Sequence, residues 1–169
     1  HALGDHRQAM AHLEAALAIL EPKLGVDHPD LIDALLGIAR AQRALGAHEA
    51  AEAALRRAIA ISDSKLGPTS GRVAPLLQAL GELWLDRGRA SEALPLLERS
   101  LALTPRGDAD ATELGERRFA LARALWDIRG DRRRARLLAE QAREGLASAG
   151  DEHREPLRSV ERWLASRPR

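Results

Sequence analysis

The stretch APLLQALGELWLDRGRASEALPLLERS, residues 74–100, decides the fold. Leu77, Leu80 and Trp84 fall three and four residues apart, the spacing of one face of an α-helix. A second register opens after Gly88, where Ala93, Leu97 and Ser100 again follow at intervals of four and three. Gly88 suits a tight turn, where positive φ or close backbone approach excludes larger residues. The stretch therefore reads as two antiparallel helices joined by a short turn, with Ala93 letting the second helix pack close.

Outward from it the pattern repeats with a period of 42 residues. Gly88 belongs to the series Gly4, Gly46, Gly88 and Gly130, and Ala93 to Ala9, Ala51, Ala93 and Ala135. Leu97 belongs to Leu13, Leu55, Leu97 and Ala139, and Ser100 to Ala16, Ala58, Ser100 and Ala142. Before each glycine after the first, the preceding helix carries Leu35, Leu77 and Phe119, then Ile38, Leu80 and Ala122, then Gln42, Trp84 and Trp126. These spacings predict helices near residues 5–24, 29–45, 48–66, 72–87, 90–104, 111–129, 132–149 and 154–166. Gly25 and Gly67 are expected to end helices, Pro29 to occupy a first turn, and Asp110 with Glu113 to form a capping box. Pro75 and Pro95 each remove a backbone donor about one turn inside a predicted helix, so late starts or bends are expected there.

Composition supports an all-α chain. Ala, Leu, Arg and Glu dominate, and strand-favouring aromatic residues number only one Phe and three Trp. The 26 basic and 25 acidic residues leave a net charge of +1, so there is no global field to hold nucleic acid or an anionic membrane. The chain has no Cys, which excludes disulfides and thiolate chemistry. It has no run of eighteen apolar residues, and a cytoplasmic location is expected.

The arrangement resembles tetratricopeptide repeats, specifically the 42-residue variety of kinesin light chains and of bacterial signalling proteins. In the central repeat the resemblance rests on Leu77, Leu80, Gly81, Trp84, Gly88, Ala93, Leu97 and Pro105, with Pro95 fitting the same subtype. Leu24, Gly25, Asp27, His28, Pro29 and Asp30 look like the linker between repeats of that subtype. The resemblance implies a right-handed α-solenoid of antiparallel helix pairs, a tetratricopeptide superhelix with a C-terminal capping helix. The whole chain, 1–169, would be one array: a second helix at 1–27, repeats at 28–69, 70–110 and 111–150, and the cap at 151–169. Two positions depart from the family pattern. Gln42 stands where an aromatic is usual, which should loosen packing, and Arg123 replaces a small residue, which implies that no backbone covers that face closely.

Such families bind peptides or partner helices on the concave face formed by the first helices. The spacing marks a second face roughly opposite the core stripe: Asp33, Leu36, Arg40 and Arg43 in one repeat, then Pro75, Gln78, Glu82 and Leu85, then Arg117, Ala120, Ala124 and Asp127. The expected peptide groove is Asp33, Leu36, Arg40, Arg43, Gln78, Glu82, Leu85, Arg117 and Asp127. The bland alternative at any one of these positions is a solvated polar surface. The resemblance also narrows the partner. The clamp that holds chaperone C-terminal carboxylates needs Lys and Asn where this chain has Leu36, Arg40 and Ala79. Kinesin-light-chain grooves use Asn side chains against a peptide backbone, and this chain contains no Asn.

No motif asks for catalysis, a metal or a cofactor. His6 and His12 lie six apart and the other histidines fall in separate segments, so no metal-ligand spacing exists. Gly67-Pro68-Thr69-Ser70-Gly71 lacks the ending of a phosphate loop and a strand before it, and reads as a linker. Asp151 and Glu152 suit a helix start, where carboxylates favour the dipole. One cluster stands out: Arg129, Arg132, Arg133, Arg134 and Arg136 gather at a helix start and could receive an anion, against a plain reading as a solvated face.

Three functional readings follow, in order: a protein-interaction scaffold without chemistry of its own, a regulatory region of a larger signalling enzyme such as a bacterial serine/threonine kinase, and a nucleic-acid-binding array using the Arg129–Arg136 cluster. The chain starts at His1 inside an amphipathic pattern, as though within a longer parent protein. Met10, Leu13, Leu17 and Leu20 would then lack their first-helix partner and stay exposed, allowing self-association through that end.

Overall fold

The computed structural model describes residues 2–104, 110–149 and 154–167, and the side chains among these from Gly4 onward. Pro105, Asp151 and Glu152 lie outside the described residues. The described chain is all-α, with eight helices in order: α1 (Ala2–Leu24), α2 (Ile32–Ala44), α3 (His48–Lys65), α4 (Ala74–Asp86), α5 (Ala90–Ala102), α6 (Ala111–Asp127), α7 (Arg132–Ser148) and α8 (Arg154–Ala165). They group into two compact units, His1–Leu83 and Trp84–Arg169, with α4 running across the division.

In the first unit α1 packs on α2, and α2 on α3. The core residues Leu35, Ile38, Ala51, Leu55 and Ala58 are the ones the 42-residue pattern selects, and all are buried. Expected exposure of the α1 stripe is only partly met. Leu17 is buried, Met10, Leu13 and Leu20 are half-buried, and Ile19, at 58% exposure, and Leu24 are large apolar residues of α1 that stay exposed. The reason is Gly37 on α2: the Leu13 side chain fills the space that a Cβ there would need. Gln42 sits half-buried at the aromatic position, and its Oε1 is enclosed without a hydrogen-bond partner among the described residues.

In the second unit α5 packs on α6, α6 on α7 and α7 on α8. Its core joins Ala93, Leu97, Leu121, Ala122, Ala135, Ala139, Ala142 and Leu146 to Val160, Trp163 and Leu164 of α8. The α6 and α7 backbones come close at one end. A Cβ on Gly115 would lie 3.2 Å from the Ala142 carbonyl oxygen, and one on Gly145 would lie 3.1 Å from that of Ala111. Leu80 and Leu97 are buried as the periodicity requires. Trp84 and Trp126, also expected in the core, are half-buried and pack against its edge.

The helix ends explain the spacing. α1 and α3 stop at Gly25 and Gly67, which take φ of +94° and +89°. Each is followed by a 3-10 turn, Pro29–Leu31 and Gly71–Val73, whose first N–H groups are met by a side chain. Asp30 N–H donates to His28 Nδ1, and Arg72 N–H to Ser70 Oγ. Leu31 and Val73 then plug the core, fully buried. These turns delay α4, so Pro75 becomes its second residue, where a missing N–H breaks no helical hydrogen bond. α5 continues through Pro95.

The turns inside the repeats share one pattern. Ala47 N–H donates to the Gln42 carbonyl and Gly46 N–H to that of Arg43; Arg89 donates to Trp84, and Gly88 to Leu85. This double bond pattern needs a left-handed residue, and Gly46 and Gly88 supply it. In the next repeat the pattern arrives one residue early. Gly130 donates to Leu125, Arg129 to Trp126, and Arg129, with φ of +54°, is the left-handed residue. α6 stops at Asp127, so four residues, 128–131, separate it from α7, where 45–47 and 87–89 suffice earlier. Gly130 keeps a packing role, since a Cβ there would lie 3.2 Å from the Ile128 side chain. Replacing Arg129 with Gly relieves a left-handed side chain at the cost of unfolded-state freedom, and a net gain of about 1 kcal/mol is expected. An unchanged or lower urea midpoint would show that the turn geometry is misassigned.

α6 also departs from the register at its start. It begins at Ala111, five residues before the position that α2 and α4 would predict, 116. Asp110 caps it, its Oδ1 accepting from Thr112 N–H at 3.0 Å. The Glu113 carboxylate, expected to complete a capping box, is engaged by Arg117 at 2.9 Å.

Candidate interaction face

In the first unit a side-chain contact joins expected groove residues of α2 and α4. Gln78 is buried and donates through Nε2 to Glu82 Oε1 at 2.9 Å, while the other Glu82 oxygen accepts from the Arg43 guanidinium. One turn away along α2, Arg40 projects into solvent. Asp33 is exposed and accepts from Arg72 at 3.0 Å. Leu36 is buried in the same unit. The outcome is a polar strip in which Arg43, Glu82 and Gln78 hold one another, with the Arg40 charge beside them. Because both Glu82 oxygens are used, the strip is ordered before any partner arrives, which lowers the entropic cost of binding.

In the second unit Leu85 is buried and Asp127 exposed. Arg117 is only 4% exposed. Its guanidinium donates to Thr104 Oγ1 at 3.0 Å and to Glu113 at 2.9 Å. That burial follows from the early start of α6: the added turn brings Glu113 over Arg117. Arg123, the large residue at a small-residue position, pairs with Asp86 at 3.5 Å and stays partly exposed, as its size requires.

Three of the five clustered arginines are engaged. Arg134 pairs with Glu98 at 2.9 Å; Arg136 bonds Glu140 and donates to the Arg167 carbonyl; Arg132 stacks 5.0 Å from the Trp126 ring centre. Arg129 and Arg133 are exposed. The Asp131 side chain caps α7 by accepting from Arg134 N–H at 2.8 Å, offsetting the cations at that helix start.

Arg132 over Trp126 repeats an arrangement in the preceding turn, where Arg89 lies 4.7 Å from the Trp84 ring centre. Arg89 also grips Glu92 with two guanidinium nitrogens, which holds the Glu92 carboxyl below the usual range. The half-buried tryptophans are thus roofed by arginine, which explains their incomplete burial. Arg89 follows Trp84 by five residues, just before α5, and Arg132 follows Trp126 by six, as the first residue of α7. That spacing is the signal a sequence reading could have used.

Among the described residues no cluster of His, Asp and Glu has metal-binding geometry, and no helix is long and apolar enough to cross a membrane.

Residues 1–64 match the tetratricopeptide-repeat family. The structure of BtubC (BKLC) from P. vanneervenii superposes with a TM-score of 0.74 at 22% identity, covering 86% of this chain. Two structures of tetratricopeptide-like repeats assigned to a kinesin light chain of Podosopora anserina superpose with TM-scores of 0.71 and 0.68, at 25% and 24% identity. They cover 96% and 97% of this chain, and 77% and 81% of their own. Tetratricopeptide repeats are thus matched over residues 1–64, and the described chain has the fold of such repeats. The fold is similar to that of kinesin-light-chain repeats. The repeats span 58% of the length of the BtubC chain. No curated protein matches the sequence.

Proposed function

We propose that these tetratricopeptide repeats form a single array over residues 1–169 that binds an extended peptide or a partner helix on the first-helix face, and carries no chemistry of its own. The observation that supports this reading most is the pre-assembled strip of Arg43, Glu82 and Gln78 with exposed Arg40 beside it. Arg40 offers a positive contact, Asp33 a negative one, and the ordered amide of Gln78 a polar one, so the preferred partner is of mixed charge. In the second unit Asp127 is an exposed member of the expected groove. With three members of the Arg129–Arg136 cluster already engaged, nucleic-acid binding there ranks below peptide binding. A cytoplasmic setting fits this role. Ile19, Leu24 and Val26, exposed on α1 and the turn after it, are the apolar surface that self-association would use.

The test is a peptide library displayed against the immobilised protein. Arg40 is exposed and makes no ion pair among the described residues, so Arg40→Glu is expected to leave the thermal midpoint within a degree or two while weakening selected peptides about tenfold, the effect of reversing one contact charge. Peptides that bind wild type and Arg40→Glu equally would place the site elsewhere.

A further inference from the structure

The C-terminal end of the second unit holds an aromatic cluster with a cation in it. Trp163 of α8 meets Phe119 and Trp126 of α6 edge to face, with ring centres 5.9 and 5.5 Å away. The guanidinium of Arg167 lies 4.3 Å from the Trp163 ring centre and 5.6 Å from that of Trp126. Its Nη1 donates to Ser166 Oγ at 2.8 Å and to the Trp163 carbonyl at 3.3 Å, while Nε is enclosed without a partner among the described residues. Burial lowers the pKa of this guanidinium, the Asp127 carboxylate counters that effect, and Arg123 adds to it. Two indole rings make a receptor for a delocalised planar cation, with the Asp127 carboxylate adding attraction from nearby, and Arg167 shows which chemistry fits.

We propose that Trp126 and Trp163 form a recognition site for an arginine side chain of a bound peptide, filled here by the chain's own Arg167. This rests on the peptide-binding reading for its ligand, and Asp127 lies on the face assigned to that peptide. Arg167 lies beyond the end of α8, so an arginine from a partner competes with one tethered side chain and no helix need move.

Indole N–H resonances of Trp84, Trp126 and Trp163, followed by 1H–15N NMR, test this with acetyl-arginine amide as the probe and the neutral isostere acetyl-citrulline amide as its control. In Arg167→Ala, and in Arg167→Gln as a second variant that keeps a polar side chain, the arginine probe is expected to shift the Trp126 and Trp163 signals saturably. Wild type should need about tenfold more probe, because a tethered competitor acts at high effective concentration. Adding Asp127→Asn should weaken binding several-fold. No saturable shift in either Arg167 variant, equal binding of the citrulline probe, or equal affinity in wild type would overturn the site. The peptide reading fails separately: if selected peptides ignore Arg40→Glu while the arginine probe still binds the Arg167 variants, the site stands without the groove.

Discussion

Truncating Leu97 to Ala is expected to lower the unfolding free energy by about 2–5 kcal/mol, and Leu55→Ala by a similar amount. Both side chains are fully buried and occupy the same place in successive repeats, Leu55 on α3 and Leu97 on α5. Each removal leaves a cavity between helices whose backbones are held by turns at both ends, so collapse around it is limited. The fourth member of the series reverses the effect. Ala139 on α7 is enclosed, so Ala139→Leu should overpack and cost about 1–3 kcal/mol. Leu13, half-buried over Gly37, should be the most tolerant of the four. Urea melts of the four variants check the ranking. A Leu97→Ala midpoint close to wild type would mean that the 42-residue register does not identify the core.

Removing residues 154–169 should destabilise the protein far more than removing residues 1–9. α8 buries Val160, Trp163 and Leu164, and at about 1.5–3 kcal/mol for each large apolar side chain the loss is on the order of 5 kcal/mol. The cut also exposes Trp126 and Phe119, the edge-to-face partners of Trp163, and the face of α7 that α8 covers. A terminal helix with one apolar and one polar side is how a repeat array closes its last face. By contrast, residues 4–9 of α1 are exposed or half-buried. Matched urea melts, followed by helical circular dichroism and by tryptophan emission, should place the two midpoints well apart. Equal shifts would rule out α8 as the cap.

The helices and their pairing are legible in the residues alone. These features depend on local chemistry: intervals of three and four set each buried face, and Gly46 and Gly88 meet a backbone demand that other residues meet poorly. Tertiary structure decided what the repeat register could not carry. Gly130 keeps the 42-residue spacing, yet Arg129 takes the left-handed position because α6 ends one residue early. Arg117 falls on the predicted outer face, yet the added turn at the start of α6 covers it with Glu113 and Thr104 supplies a second acceptor. Arg167 and Trp126 are 41 residues apart in sequence, and only the docking of α8 brings them together. Periodicity reports which side of a helix meets its neighbour. It is silent on the long polar side chains, whose positions depend on partners supplied by other helices.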